Sequence, residues 1–189
     1  TLSTSSAASD VYKRQVYWLP QRYLENGGLT GGWGTISQMM IGILLLTPIS
    51  LWRKFKGRSS GLEIPFVGFL TGSGFICYAL SFLLTDVVRA LIMFYMIPVW
   101  TTIFEIIFLK KRPGLERVLT LGLALGGLWI VFSKSNIVPL PQNAGDWLAL
   151  VGGILFGGGL IRLEITKTDG VFPVIFSFFF YGTIFNLSL

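Results

Sequence analysis

Long apolar runs alternate with short polar or basic segments along most of the chain, at the length scale of membrane-spanning helices. The run 33–52 (WGTISQMMIGILLLTPISLW) is bounded by tryptophans, as anchoring at a membrane–water interface favours. A basic loop leads to the run 64–84, and only Thr85 and Asp86 separate it from the next. So short a connection makes 64–84 and 87–109 antiparallel neighbours. The run 87–109 is long enough to cross a ~30 Å hydrocarbon core as a helix. After the hinge Lys110-Lys111-Arg112-Pro113-Gly114, the run 118–132 reaches spanning length once extended into 115–117. An irregular connection, 133–146, precedes the Gly-rich run 147–161. A polar loop, 162–170, then leads into 171–189, the start of a further span. At the front, 16–24 (VYWLPQRYL) reads as the later half of a spanning helix, closed by the turn-rich loop 25–32. The predicted fold class is all-α, a polytopic transmembrane helix bundle.

Residues 1–15 (TLSTSSAASDVYKRQ) break this pattern. They are polar and Ser-rich, and they lead into an apolar run without a helix start. SAASDVYKRQ resembles translated sequencing-adapter DNA, so the leader reads as non-native, with a natural disordered tail as the alternative. The chain reads as cut at both ends.

Composition sharpens the class. The chain is 52% hydrophobic and 13% charged, against about 25% charged in a soluble domain. The net charge of +6 does not point to nucleic acid, because the basic residues cluster in short loops between apolar runs. There is no histidine, which removes the usual general base and metal ligand, and the single cysteine, Cys77, lies inside an apolar run. No cofactor, no metal and no enzymatic activity are expected. A membrane-embedded enzyme is disfavoured further by the lack of paired carboxylates within any span.

Lysine and arginine placement sets the orientation. Loops 53–63, 110–117 and 162–169 carry Arg53, Lys54, Lys56, Arg58, Lys110, Lys111, Arg112, Arg117, Arg162 and Lys167. The intervening connections carry Lys134 alone, with Arg22 and Arg89 near span ends. This is a positive-inside pattern without a break, so the basic loops are expected in the cytoplasm, at a bacterial inner (plasma) membrane.

With these residues in place, the sequence resembles the EamA-type half of the drug/metabolite transporter superfamily. The resemblance rests on Ala90 and the apolar run before the central proline of MIPVWTTIF, the short basic hinge, and the Gly-rich LGLALGGLWIVF. GDWLALVGGILFGGG, from Gly145, is similar to the start of the second repeat in that family. One departure is visible. Lys111 stands in FLKKRPG where many members carry a glutamate, six residues after Glu105. The resemblance implies two five-span repeats of inverted topology with substrate bound between them. The first repeat would cover 16–133 and the second would begin within 145–189, truncated. It also implies secondary transport of a small metabolite by alternating access, as an exporter or an ion-coupled permease. Implied partners are the lipid bilayer, the small-molecule substrate and a proton or cation, with a second copy of the chain as a further candidate.

Candidate pathway residues follow from polarity inside the spans. The run 87–109 holds Arg89, Pro98 and Glu105, each awkward in lipid. Pro98 deprives the Phe94 carbonyl of its normal donor, so it supplies either a polar mid-membrane site or a kink that only shapes packing. Tyr95, Pro98, Thr102 and Glu105 share one face at i, i+3, i+7 and i+10, expected to line the path or to make a helix–helix contact. Glu105 reads as a proton or cation carrier, or as an interfacial carboxylate paired to Lys110 or Lys111. Arg89 attracts anionic substrate at the outer mouth, or snorkels to Asp86. Arg89 and Glu105 lie roughly 24 Å apart along a helix and cannot pair with each other. Arg22, after Pro20, marks a second candidate break. Gln38 and Tyr78 can bond substrate or a neighbouring helix. Arg162 and Glu164 read as loop-edge residues.

The glycine pairs Gly68/Gly72, Gly122/Gly126 and Gly153/Gly157 read as close helix contacts, and Gly157-Gly158-Gly159 is not a phosphate loop. The rival to a transporter is a membrane scaffold in which all of these residues serve packing alone.

Overall fold

A computed structural model describes residues 27–28, 33–55, 61, 63–110, 112–135, 140–166 and 170–188. The leader 1–15, the half-helix 16–24 and Arg22 lie outside the described residues.

The described chain is helical, with no strand among the described residues. Helix α1 is Trp33–Phe55 and α2 is Glu63–Leu84. The third run is broken into α3 (Val87–Phe94), α4 (Ile97–Phe104) and a π-helical turn, Glu105–Leu109. Helix α5 is Leu115–Ser135, α6 is Ala144–Ile165 and α7 is Val171–Leu187. Every apolar run predicted within the described residues forms helix, and α5 does take in the residues before 118. By length and composition, α1, α2, the broken third run and α6 can each cross a membrane, and α7 is a shorter apolar helix.

Helix α2 is the centre of the bundle. It packs against α6 on one side and α7 on the other, while α1 packs on α7 and α3 and α4 pack on α6. Lipid gives no hydrophobic drive for helices to associate, so close van der Waals contact must carry the packing, and small residues permit it. Gly68 and Gly72 take α7. A Cβ on Gly72 would stand 2.7 Å from both the Gly182 nitrogen and the Phe178 carbonyl oxygen. Gly74 meets Gly152 of α6, where a Cβ on either would lie within 2.7 Å of the other's carbonyl oxygen. On α6, a Cβ on Gly153 would stand 2.9 Å from the Phe94 carbonyl oxygen, and one on Gly157 would stand 3.4 Å from Cβ of Trp100.

Two of the three glycine pairs therefore make the expected contacts. The third does not. Gly122 and Gly126 have nothing within 4 Å of a would-be Cβ among the described residues, because α5 is largely exposed and packs on no other helix extensively.

Residue pairs fix the helix directions. Thr85 at the end of α2 meets Asp146 at the start of α6, and Glu63 at the start of α2 meets Arg162 at the end of α6. Helices α2 and α6 are thus antiparallel. Gly68 meets Ser177 and Gly72 meets Gly182, so α2 and α7 are parallel. Arg53, closing α1, lies 5.4 Å above the ring of Phe172, which opens α7. The ends bearing Arg53, Glu63, Arg117 and Arg162 consequently gather at one face of the bundle, and Asp86, Arg89 and Asp146 at the other.

Candidate functional site

The broken third span is the organising feature. Residues Tyr95 and Met96 leave helical geometry, with ψ near zero at both (3° and 4°), and α4 restarts at Ile97. Pro98 therefore occupies the first turn of a new helix, where its missing N–H would have had no partner anyway. The carbonyl it leaves free, that of Phe94, faces Gly153 of α6. The glycine closes over this oxygen, so in this conformation the freed carbonyl is a contact between helices rather than an open polar site.

The break falls within the expected four-residue face. Tyr95 is 64% exposed and Pro98 is exposed, whereas Thr102 and Glu105 are buried. Helical spacing aligns residues only while the helix is continuous, and Tyr95 and Met96 interrupt it. Below the break, Thr101 and Thr102 turn their hydroxyls back on the Pro98 carbonyl, donating at 3.1 and 2.7 Å.

Arg89 does not snorkel to Asp86. It is 7% exposed, and its guanidinium is bonded to Asp146 of α6, Nη2 to Oδ2 at 2.5 Å and Nε to Oδ1 and Oδ2 at 3.2 and 3.1 Å. Nη2 also donates to the Leu140 carbonyl at 3.1 Å. Asp146 is fully buried and accepts further bonds from the Thr85 hydroxyl (2.7 Å) and the Gln142 N–H (2.9 Å). Asn143 caps α6 by accepting from the Asp146 N–H at 2.8 Å, and its amide donates to Thr85 at 2.9 Å. Asp86, in the connection before α3, is exposed and makes no side-chain cap bond. The physical reason for the switch is burial. A carboxylate inside the bundle, with four donor groups aimed at it, compensates an inward guanidinium better than one already in water.

Glu105 likewise has a different partner from Lys110 or Lys111. Lys110 takes a left-handed conformation (φ 52°) that ends the π turn, and Lys111 lies outside the described residues. The chain reverses through Pro113 and Gly114, and α5 returns its first turn alongside. There the Arg117 guanidinium forms an ion pair with Glu105, and its Nε donates to the Thr102 hydroxyl at 3.1 Å. As expected, Arg89 and Glu105 do not pair with each other. Arg162 is also more than a loop-edge residue: it bonds Glu63 at 3.3 Å, and Thr166 donates to the same carboxylate at 3.0 Å. Glu164 is exposed.

The remaining candidates stand apart from these clusters. Tyr78 of α2 stacks on Phe94 at 4.0 Å with 17° between planes, and Phe82 meets it edge-on at 4.7 Å. It belongs to an aromatic core between α2 and α3. Gln38 of α1 is half-buried, and its Nε2 has no partner among the described residues. An apolar groove of about 480 Å³ lies at the Asp146 end, lined by Trp33, Ile36, Leu80, Leu83, Leu148 and Asn186 among others, and none of the sequence-derived candidates lines it. No cluster of three or more His, Cys, Asp or Glu among the described residues could hold a metal ion.

Sequence reasoning missed Asp146, Asn143, Thr85, Glu63 and Arg117. A signal for the first two was available: Asn143-x-x-Asp146 before an apolar run is a helix-capping pattern. The capping reading, however, does not reveal that Asp146 points at Arg89.

A bundle of long apolar helices, with a proline-broken span at its side and a buried charge pair between helices, defines an integral membrane protein. Among families, the model of the EamA-like transporter family matches residues 22–133, more than half of the chain. The chain belongs to that family. No curated protein and no solved structure matched it.

Proposed function

We propose that this protein moves a small metabolite across the membrane by alternating access, as a secondary transporter driven by a substrate or ion gradient. One observation carries the reading: the broken span α3–α4, whose lower half holds Thr101, Thr102 and Glu105 buried against neighbouring helices. Broken helices with polar groups at depth are how secondary transporters place a site within a bilayer. In this reading 16–133 is a first repeat, and the second begins within 145–189 with opposite orientation. The basic loops 53–63, 110–117 and 162–169 face the cytoplasm of a bacterial cell. Substrate and coupling ion act without a cofactor, and the chain carries no catalysis of its own.

A specific observation favours a packing role instead: Thr102 and Glu105 are both bonded to Arg117. Two measurements separate the readings. Full-length protein in liposomes should take up radiolabelled metabolites from a panel in response to an imposed pH or substrate gradient. Unchanged gradient dependence in Glu105→Gln would remove Glu105 from coupling. In a variant lacking Cys77, single cysteines at 95, 98, 102 and 105 should react with a water-soluble maleimide. Protection at 102 and 105 under all gradients would support packing alone.

A further inference from the structure

Glu105 opens the π-helical turn that ends the broken span, and π turns within α-helices are frequent at functional sites. Its side chain is 11% exposed, and Thr102, three positions before it, is buried. A carboxylate at that depth needs a cation beside it, because an uncompensated charge out of water is costly. Arg117 supplies that cation, with Nη1 on the carboxylate and Nε donating to the Thr102 hydroxyl at 3.1 Å.

The broken helix decides what these two residues accept. Thr102 gives its one hydroxyl proton to the Pro98 carbonyl, at 2.7 Å, so toward Arg117 its oxygen can only accept. A carboxylate paired with a guanidinium likewise only accepts. Two acceptors, one charged and one neutral, thus face two N–H groups of a single planar cation. That pattern suits a guanidinium, whose donors are fixed in one plane and which has no acceptor. An ammonium brings a point charge without the fork, and a quaternary ammonium brings no donor at all.

The occupant in the structure is displaceable. Arg117 rises from the first turn of α5, and its side chain is 40% exposed. On leaving its partner it regains water at little cost, whereas the Glu105 it leaves behind must find another cation. The carboxylate is therefore placed to exchange one cation for another. In a transporter, the bonds that suit a packing role equally describe a tethered substitute for a ligand.

We infer that Glu105 and Thr102 form the binding site for a substrate bearing a guanidinium group, and that Arg117 is its tethered competitor, filling the site while no substrate is bound. The inference rests on the transporter reading and names the substrate class, but binding is measurable without transport. Glu105 and Thr102 touch the ligand, and Arg117 controls access to them.

The test measures saturable binding of radiolabelled butylguanidinium to purified full-length protein in detergent, beside uptake of the same compound into liposomes. Wild type should bind it, with butylammonium competing more weakly and tetramethylammonium hardly at all. Glu105→Gln should weaken binding by about tenfold or more, having no charge to offer. Arg117→Gln should do the opposite and tighten it by roughly two- to fivefold, because the tethered competitor is gone. Arg117→Lys should fall between, since an ammonium holds the carboxylate without the second bond to Thr102. Lys110→Gln removes a neighbouring exposed positive charge and should leave the affinity unchanged, which separates competition from general repulsion. Absence of saturable binding, binding unchanged or weakened in Arg117→Gln, or equal tightening in Lys110→Gln overturns the inference. So does tetramethylammonium competing as well as butylguanidinium. Tightened binding in Arg117→Gln without uptake by any variant keeps this site and counts against transport. Gradient-driven uptake of other metabolites by a protein that binds no guanidinium has the reverse consequence.

Discussion

Arg89 Nη2 lies 2.5 Å from Asp146 Oδ2, joining α3 to α6 across 57 positions of sequence with both side chains out of solvent. This pair links the stretch that the family model matches to the helices that follow it. Neither charge could sit at its depth alone. An isolated guanidinium in apolar surroundings is among the most expensive groups to bury, and its cost falls only when a carboxylate and further acceptors surround it.

Substituting Asp146→Asn should therefore lower stability by roughly 3–5 kcal/mol, the usual cost of stranding one partner of a buried pair. The double replacement Arg89→Met with Asp146→Leu should lose less than Asp146→Asn alone, because it removes both charges. Thermal unfolding of the purified protein in detergent checks this. A double variant as unstable as the sum of the singles would mean that the two residues do not act as a pair.

Most of the architecture was legible because lipid imposes it. Twenty-odd apolar residues between polar loops must form a helix, since no other segment can bury its backbone polar groups in hydrocarbon. The short connection Thr85–Asp86 likewise announced an antiparallel pair. The partners of the charged residues were not legible. Arg89 has Asp86 three residues away, and local reasoning assigns the neighbour in sequence. The correct partner depends on Gly74 and Gly152 letting α6 lie against α2, which brings Asp146 beside Thr85. The interruption of the face that runs from Tyr95 to Glu105 was not legible either. Pro98 was read as bending a continuous helix, whereas the helix ends before it and begins again.

Glycines on α2 and α5 should respond oppositely to alanine. At Gly74 a Cβ would meet the Gly152 carbonyl oxygen at 2.7 Å and the Phe156 nitrogen at 2.8 Å, both backbone atoms that cannot step aside. Gly74→Ala should cost about 1–3 kcal/mol as overpacking. Among the described residues nothing lies within 4 Å of a Cβ at Gly122, so Gly122→Ala should be neutral or gain up to about 1 kcal/mol from helix propensity. Melting temperatures of the two variants decide it. An equal loss at Gly122 would show that α5 is packed as tightly as α2.

The Glu105–Arg117 pair should be far weaker than Arg89–Asp146. The Arg117 side chain is 40% exposed, against 9% for Arg89, so water can replace the lost partner. Glu105→Gln, which leaves the partly exposed Arg117 behind, is expected to cost about 0–1 kcal/mol. The same melting measurement, run beside Asp146→Asn, should rank the two clearly. Equal losses would place Arg117 in an environment as dry as that of Arg89.

Sidedness provides the last test. Arg53, Glu63, Arg117 and Arg162 gather at one end of the bundle, while Asp86 and Asp146 lie at the other. The basic end is expected to face the cytoplasm, since lysine- and arginine-rich loops resist translocation. Asp86 and Arg112 are both exposed and serve as reporters of the two faces. In a variant without Cys77, Asp86→Cys should react with a membrane-impermeant maleimide on intact spheroplasts. Arg112→Cys should react only after permeabilisation. The native thiol is buried and should stay silent in either case, which makes the wild type an internal control. Labelling of Arg112→Cys from outside would invert the topology, whereas labelling of both positions from one side would break the third span as a membrane crossing.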